Sequence, residues 1–161
     1  MALVDFFLKL EGVKGESTDD KHKGEIDLES WSWGATNSAS GHVGGGSGVG
    51  KVSVQDLHFV HKLDKASPQL FNFCASGGHM NKGTLVCRKA GKDPLEYLKI
   101  DMEQIYVTSI STGGHHGDAL PTEQVSLNFS KFHVKYYPQK ADGSGDTAQE
   151  LKMDIAAHKI G

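Results

Sequence analysis

The sequence predicts a mainly β fold: a strongly coiled or closed barrel with one short helix and one long glycine-rich loop. Three observations predict it. Apolar residues recur with a period of two over most of the chain. In four long segments the apolar parity switches midway. Only one segment carries helix punctuation at both ends. A flat strand cannot change its buried face partway. Two physical readings remain open for the switches. Either bulges rotate the strands, as at barrel corners, or half of each strand buries its second face against something outside the domain.

The elements follow in order. Val4, Phe6, Leu8 and Leu10 alternate with Leu3, Asp5, Phe7 and Lys9, a first strand with one face buried. Gly15 to Gly24 is a polar loop. The strand Glu25 to Ala35 switches from Ile26 and Leu28 to Trp31 and Trp33. A Gly/Ser stretch, Ala35 to Gly50, comes next. The strand Lys51 to Leu63 switches from Val52 and Val54 to Leu57 and Phe59. The helix spans about residues 67–76. Ser67 is its predicted cap, Pro68 its first helical residue and Gly77 its left-handed stop. Leu70, Phe71 and Cys74 form its apolar face. Four strands complete the fold: Gly83–Lys89, Glu96–Ser111, Glu123–Tyr137 and Glu150–Ala157. In the second of these, Leu98, Ile100 and Met102 give way to Ile105 and Val107. In the third, Val125, Leu127 and Phe129 give way to Phe132, Val134 and Tyr136.

Composition narrows the function classes. The 161 residues make a single domain, 1–161, long enough to bury a core without disulfide or metal staples. Net charge is −3 with no Lys/Arg cluster, which argues against a nucleic-acid partner. Cys74 and Cys87 are too few for a disulfide framework. No apolar run reaches the roughly 18 residues of a membrane span, so no membrane insertion is expected. The start MALVDFFLKL has Asp5 inside its apolar stretch and no early basic residue. It does not read as a secretory signal, and synthesis and folding in the cytoplasm are expected.

The candidate chemistry is thin. Gly45 to Lys51 matches the spacing of a phosphate-cradling loop, but Val52 stands where a hydroxyl should bind Mg²⁺. An alternating strand follows where a helix should open. His58 and His61 are three apart on a strand, so they face opposite sides and cannot share a metal. No zinc spacing and no Gly-x-Ser-x-Gly elbow occurs, and no cofactor is implied. His42, His79 and His158 read as surface residues. His115 and His116 sit in a glycine-bounded turn. Trp31 and Trp33 share a face, either as a core pair or as an aromatic anchor at a subunit contact.

An ordered set of motifs carries a resemblance. It comprises Lys14-Gly15-Glu16-Ser17, then Glu25-Ile26-Asp27 leading to Trp31-Ser32-Trp33-Gly34, and the glycine stretch running into Val49-Gly50-Lys51-Val52-Ser53-Val54-Gln55-Asp56-Leu57. It continues with Asp64-Lys65-Ala66-Ser67-Pro68-Gln69-Leu70, Val107-Thr108-Ser109-Ile110-Ser111-Thr112-Gly113-Gly114 and Leu127-Asn128-Phe129, and ends at Tyr136-Tyr137-Pro138-Gln139-Lys140-Ala141-Asp142-Gly143. Together these resemble the Hcp family (hemolysin-coregulated protein), the tube subunit of bacterial type VI secretion. The chain departs from the family pattern at His115-His116 and in the histidine-rich strand His58–His61.

The resemblance implies an antiparallel β-barrel of two sheets with one short flanking α-helix. It implies hexameric rings that stack into a tube inside a contractile sheath, tipped by a spike protein. It further implies export without a signal peptide, small effector proteins carried in the lumen, and no enzyme activity. On that reading Gly44, Gly45, Gly46, Ser47, Gly48 and Val49 belong to an arm at a subunit contact, together with Trp31 and Trp33. His115 and His116 become lumen contacts for cargo. The rival reading is a monomeric ligand- or carbohydrate-binding β-sandwich module using the two tryptophans.

Overall fold

In a computed structural model, which describes residues 3–39, 50–92 and 94–161, the chain forms eleven strands and one helix among the described residues. The strands are β1 (Val4–Leu10), β2 (Ile26–Leu28), β3 (Ser30–Ser32), β4 (Ala35–Asn37), β5 (Val52–Val54), β6 (Leu57–Lys62), β7 (His79–Lys89), β8 (Glu96–Gly113), β9 (Thr122–Tyr136), β10 (Gln149–Asp154) and β11 (Lys159–Ile160). The helix α1 spans Ala66–Ser76. Every pairing between named strands is antiparallel.

The long strand β9 organises the molecule. β8 runs along its full length on one side. On the other side β9 pairs first with β6, over Thr122–Leu127, then with β10, over Lys131–Tyr136. This exchange of partners makes two sheets from one. The wider sheet runs β2-β1-β7-β8-β9-β10-β11. The narrower one has four strands, β3, β6 and the facing halves of β9 and β8. β4 and β5 form a separate two-stranded hairpin.

All four parity switches coincide with places where a strand passes from one partner to another or bends. The stretch predicted as one strand, Glu25–Ala35, breaks at Glu29. β2 before it pairs with β1, and β3 after it pairs with β6. Likewise β5 pairs with β4, and β6 beyond Asp56 pairs with β9. In β8 and β9 the switch falls at Gln104 and Ser130, which lie opposite one another between the pairs Glu103↔Lys131 and Ile105↔Phe129. Asn81 of β7 lies in the same row, between Met80↔Ile105 and Lys82↔Glu103. Each strand thus gives up one residue to a crease that crosses the sheet without shifting register. Gln104 pays with a left-handed backbone, φ 53°. A single-strand bulge would have shifted register. One does so a few residues later, around Thr108. Beside the crease, a side chain on Gly83 would lie 2.8 Å from both Ile105 and Leu10, so only glycine lets β1 come this close.

The core lies between the sheets. Leu8, Leu57, Leu70, Leu85, Ile105 and Leu127 are fully buried in it. Phe7, on the opposite face of β1, is also buried, because His22 stacks on it at 4.3 Å and the Arg88 guanidinium covers it at 4.8 Å. The alternation alone had placed Phe7 beside exposed Lys9. It is the segment 13–25, folded back over the sheet, that hides it.

The helix is present, but its cap and one face differ from expectation. Asp64, not Ser67, caps it. The Asp64 carboxylate accepts the Ala66 N–H at 2.8 Å, and Ser67 returns the favour by accepting the Asp64 N–H at 3.1 Å. Ser67 lies one step inside and is buried. The inward face is Ala66, Leu70, Phe73 and Cys74, while Phe71 is 60% exposed. Gly77 ends the helix with φ 72°, and its N–H bonds to the Phe73 carbonyl at 3.0 Å.

Candidate assembly and cargo surface

The four-stranded sheet positions the surfaces of interest. Its core side carries Leu57, Phe59, Val125 and Leu127. Its outward side is polar and mostly uncharged, in rows fixed by the register. Ser111 lies beside Gln124, Val60 and Ser30 in one row. Ser109 lies beside Ser126, His58 and Ser32 in the next. Within that second row, Ser109 Oγ donates to Ser126 Oγ at 2.8 Å, and Ser126 Oγ lies 2.6 Å from His58 Nδ1. The next row holds Tyr106, Asn128 and Asp56, whose carboxylate accepts from Asn128 at 3.0 Å and from the bulged Thr108 at 2.6 Å.

This sheet has two free edges among the described residues. β3 pairs only with β6. β8 beyond Tyr106 has left β7, whose pairing starts at His79, and keeps only β9. The two edges lie at opposite sides of one sheet.

Behind the polar face sits a charged cluster that period and spacing did not reveal. His61 is fully buried, with Nε2 2.8 Å from Glu123 Oε1. Thr112 Oγ1 donates to the other Glu123 oxygen at 2.7 Å. The Asp64 carboxylate lies 3.7 Å from Nδ1, too far for a hydrogen bond but near enough to act through its charge. Burial works against a charged imidazole here, but Asp64 and Glu123 outweigh it and hold His61 above its usual value. As their spacing required, His58 and His61 do face opposite sides of the strand: one is exposed, the other in the core.

A second cluster clamps the segment 13–25 to the wide sheet. Arg88 donates to Asp19 at 2.7 and 3.0 Å and to Asp5 at 3.0 Å. The Arg88 guanidinium holds the Asp19 carboxyl down at about 2. His22 sits between Glu25, at 3.0 Å, and Glu96, at 2.6 Å. Burial opposes ionisation of Glu96, yet His22 and Lys99 keep its carboxyl below the usual range. Both clusters hold histidines between carboxylates. Among the described residues no group of three or more His, Cys, Asp or Glu could hold a metal.

The described candidate residues occupy separate settings. Trp31 meets Phe6 edge-on at 6.4 Å. Trp33 packs on Phe132 at 4.8 Å and Phe129 at 5.9 Å, with Nε1 donating to the Gln55 carbonyl at 2.9 Å. Both are half-buried against the core. His115 and His116 are exposed in the turn after β8, where His115 Nδ1 accepts the Gly117 N–H at 3.1 Å. Gly44, Gly45, Gly46, Ser47, Gly48 and Val49 lie outside the described residues, as does His42. The phosphate-loop match ends at Lys51, which leads into β5 and not into a helix. Cys74 is half-buried, and Cys87 is buried, its thiol pushed up to about 11 by that burial.

Comparison with known proteins agrees with this architecture. Residues 7–136 match the family model described as "Type VI secretion system effector, Hcp". The protein hcp1 of Pseudomonas aeruginosa is 50% identical over 144 residues, 89% of each chain. The crystal structure of Hcp1 from Salmonella typhimurium is 41% identical, covers 99% of this chain and 100% of its own, and superposes with a TM-score of 0.83. A type VI secretion system effector from Yersinia pestis is 31% identical over 94% of this chain and 100% of its own, with a TM-score of 0.76. A sequence match over most of the length, on the same two-sheet fold, makes this chain a member of the Hcp family of type VI secretion proteins.

Proposed function

We propose that this chain is the tube subunit of a type VI secretion system: six copies close into a ring, rings stack inside the contractile sheath beneath the spike, and the subunit leaves the cell with the tube. The observation that carries the reading is the pair of unlike free edges, β3 and the far half of β8, on opposite sides of one four-stranded sheet. A contact joining two different edges is heterologous, and it closes into a ring when the rotation allows. Such a ring would turn the hydroxyl-rich face toward a common bore, where small effector proteins ride. That role asks for no catalysis. No helix among the described residues is long and apolar enough to cross a membrane.

Light scattering and negative-stain images of the purified protein test the reading. A ring of about six subunit masses is expected, and a monomer at all salt concentrations would overturn it. Alanine at both His115 and His116 tests their part in cargo contact: binding and export of every cargo unchanged would remove it. The carbohydrate-binding alternative loses ground because both tryptophans pack against aromatic side chains, Trp31 edge-on with Phe6 and Trp33 on Phe129 and Phe132.

A further inference from the structure

We infer that the row Ser109–Ser126–His58 is a proton-switched recognition site for carboxylate-bearing segments of a protein partner. The inference rests on the tube reading only for its place inside a bore. Its chemistry is carried by three atoms: Ser109 Oγ, Ser126 Oγ and His58 Nδ1, linked at 2.8 and 2.6 Å.

Hydroxyls donate one hydrogen bond each and accept others, so the direction of this chain is set at its imidazole end. With His58 neutral and Nδ1 accepting, Ser126 donates to it and Ser109 donates to Ser126. Ser109 then shows only lone pairs to the outside. Protonation puts a hydrogen on Nδ1, which must now donate. Ser126 accepts it and turns its own hydrogen toward Ser109, whose hydrogen is freed to point outward. One proton gained at Nδ1 thus adds a positive charge and converts the exposed end of the row from acceptor to donor. Both changes favour a carboxylate. Ser126, between the two, is 7% exposed, which keeps water from breaking the relay, while Ser109 and His58 are exposed at its ends.

The surroundings do not pre-empt this switch. On its own strand, the charged groups flanking His58 are Asp56, held by Thr108 and Asn128, and Lys62, 3.6 Å from Glu29. From β9 the neighbour across is Ser126, and Glu123 turns to the core against His61. From β3 the neighbour is Ser32. β8 contributes Ser109, with Tyr106 lying one row away against His79 of β7. No carboxylate lies within salt-bridge distance of the His58 ring among the described residues. Between pH 5.5 and 7.5 a glutamate ligand stays ionised, so the charge of the ligand is constant while the row is tested.

The test uses the full chain and a fluorescent hexaglutamate peptide, with hexaserine as control. Anisotropy titrations are run at pH 5.5 and 7.5 in low salt. The wild type is expected to bind hexaglutamate about three- to fivefold more tightly at pH 5.5, as an exposed ion pair allows. His58→Gln, which keeps a polar group but cannot gain the proton, is expected to lose that gain. His79→Gln is expected to keep it. Hexaserine should show no pH dependence. Full gain in His58→Gln, or none in the wild type, overturns the site. Light scattering on the same samples separates the two readings. A monomer whose peptide binding still follows His58 would discard the bore and keep the switch, whereas a ring with no His58 dependence would do the reverse.

Discussion

His61 and Glu123 meet at 2.8 Å inside the hydrophobic core, on strands that pair directly, with the helix-capping Asp64 close to the other ring nitrogen. The cluster ties the start of α1 to the narrow sheet. Removing one partner from a buried pair leaves the other uncompensated, at a cost of about 3–5 kcal/mol. Glu123→Leu is therefore expected to destabilise the protein by that order in urea unfolding. His61→Phe with Glu123→Leu should recover most of the loss, because two apolar groups need no partner. A double variant no better than the single one would mean that shape, not charge, holds the site.

The same pair gives a pH dependence with a definite sign. His61 is held above its ordinary value in the folded chain, so folding favours its protonated form. The stability this contributes is fully present below the ordinary histidine value of about 6.5. It is lost as pH rises through the higher folded value. Unfolding free energy, measured from pH 6 upward, should fall in the wild type and stay flatter in the His61→Phe, Glu123→Leu double variant.

Asp19 and Arg88 set the opposite limit. Asp19 is held at about 2, below its unfolded value of about 3.9. The stability it brings is present above pH 4 and lost as pH falls toward 2. Since Arg88 anchors the segment that hides Phe7, acid should loosen that segment. Hydrogen exchange at the Ser17 and Gly24 amides, which bond to the Glu25 and Ser17 carbonyls, is expected to accelerate on Arg88→Met. The buried strands β7 and β8 should keep most of their protection.

Much of the fold was legible because alternation, punctuation and parity are local. The switches at Leu28, Val54, Met102 and Phe129 mark places where a strand changes partner or bends. What they could not show was whether the turn lay inside the chain or against a partner. Only the register does, by placing Asn81, Gln104 and Ser130 in one row. Ser67 looked like a cap because the pattern Ser-Pro is a good helix start. Asp64 took the position because its carboxylate lies one turn earlier with Ser67 free to bond back. Phe7, Arg88 and His22 escaped notice because they meet across 66 and 81 residues of chain, where no period operates. The hydroxyl face was written in the sequence as Ser30, Ser32, Ser109, Ser111 and Ser126, but nothing in a linear reading sets those serines side by side.

Trp33 offers a direct choice between core and anchor. Its ring lies against Phe129 and Phe132, and its indole N–H is already bonded to the Gln55 carbonyl. A core role predicts that Trp33→Ala destabilises by up to about 3–5 kcal/mol, with a loss that does not depend on protein concentration. An anchor role predicts a loss that vanishes on dilution to the monomer. Thermal unfolding over a hundredfold concentration range distinguishes them, and the first outcome is expected.

Deleting Gly44–Gly48 tests the arm. The flanking hairpin is fixed independently of those residues: Asn37 pairs with Val52, and the Lys51 N–H bonds to Ser38 Oγ at 3.0 Å. Paired strands lie only about 5 Å apart, so the ends to be joined are already close. Residues 39–50 shorten from twelve to seven, and loop-closure entropy changes by well under about 1 kcal/mol for such a change. The shortened chain is therefore expected to melt as the wild type does. If the segment reaches a neighbouring copy in the proposed ring, the shortened chain must still fold but should sediment as smaller species than the wild type at low concentration. Identical sedimentation of the two proteins across the concentration range would take the segment out of the contact and leave the proposed ring to rest on the edges of β3 and β8 alone.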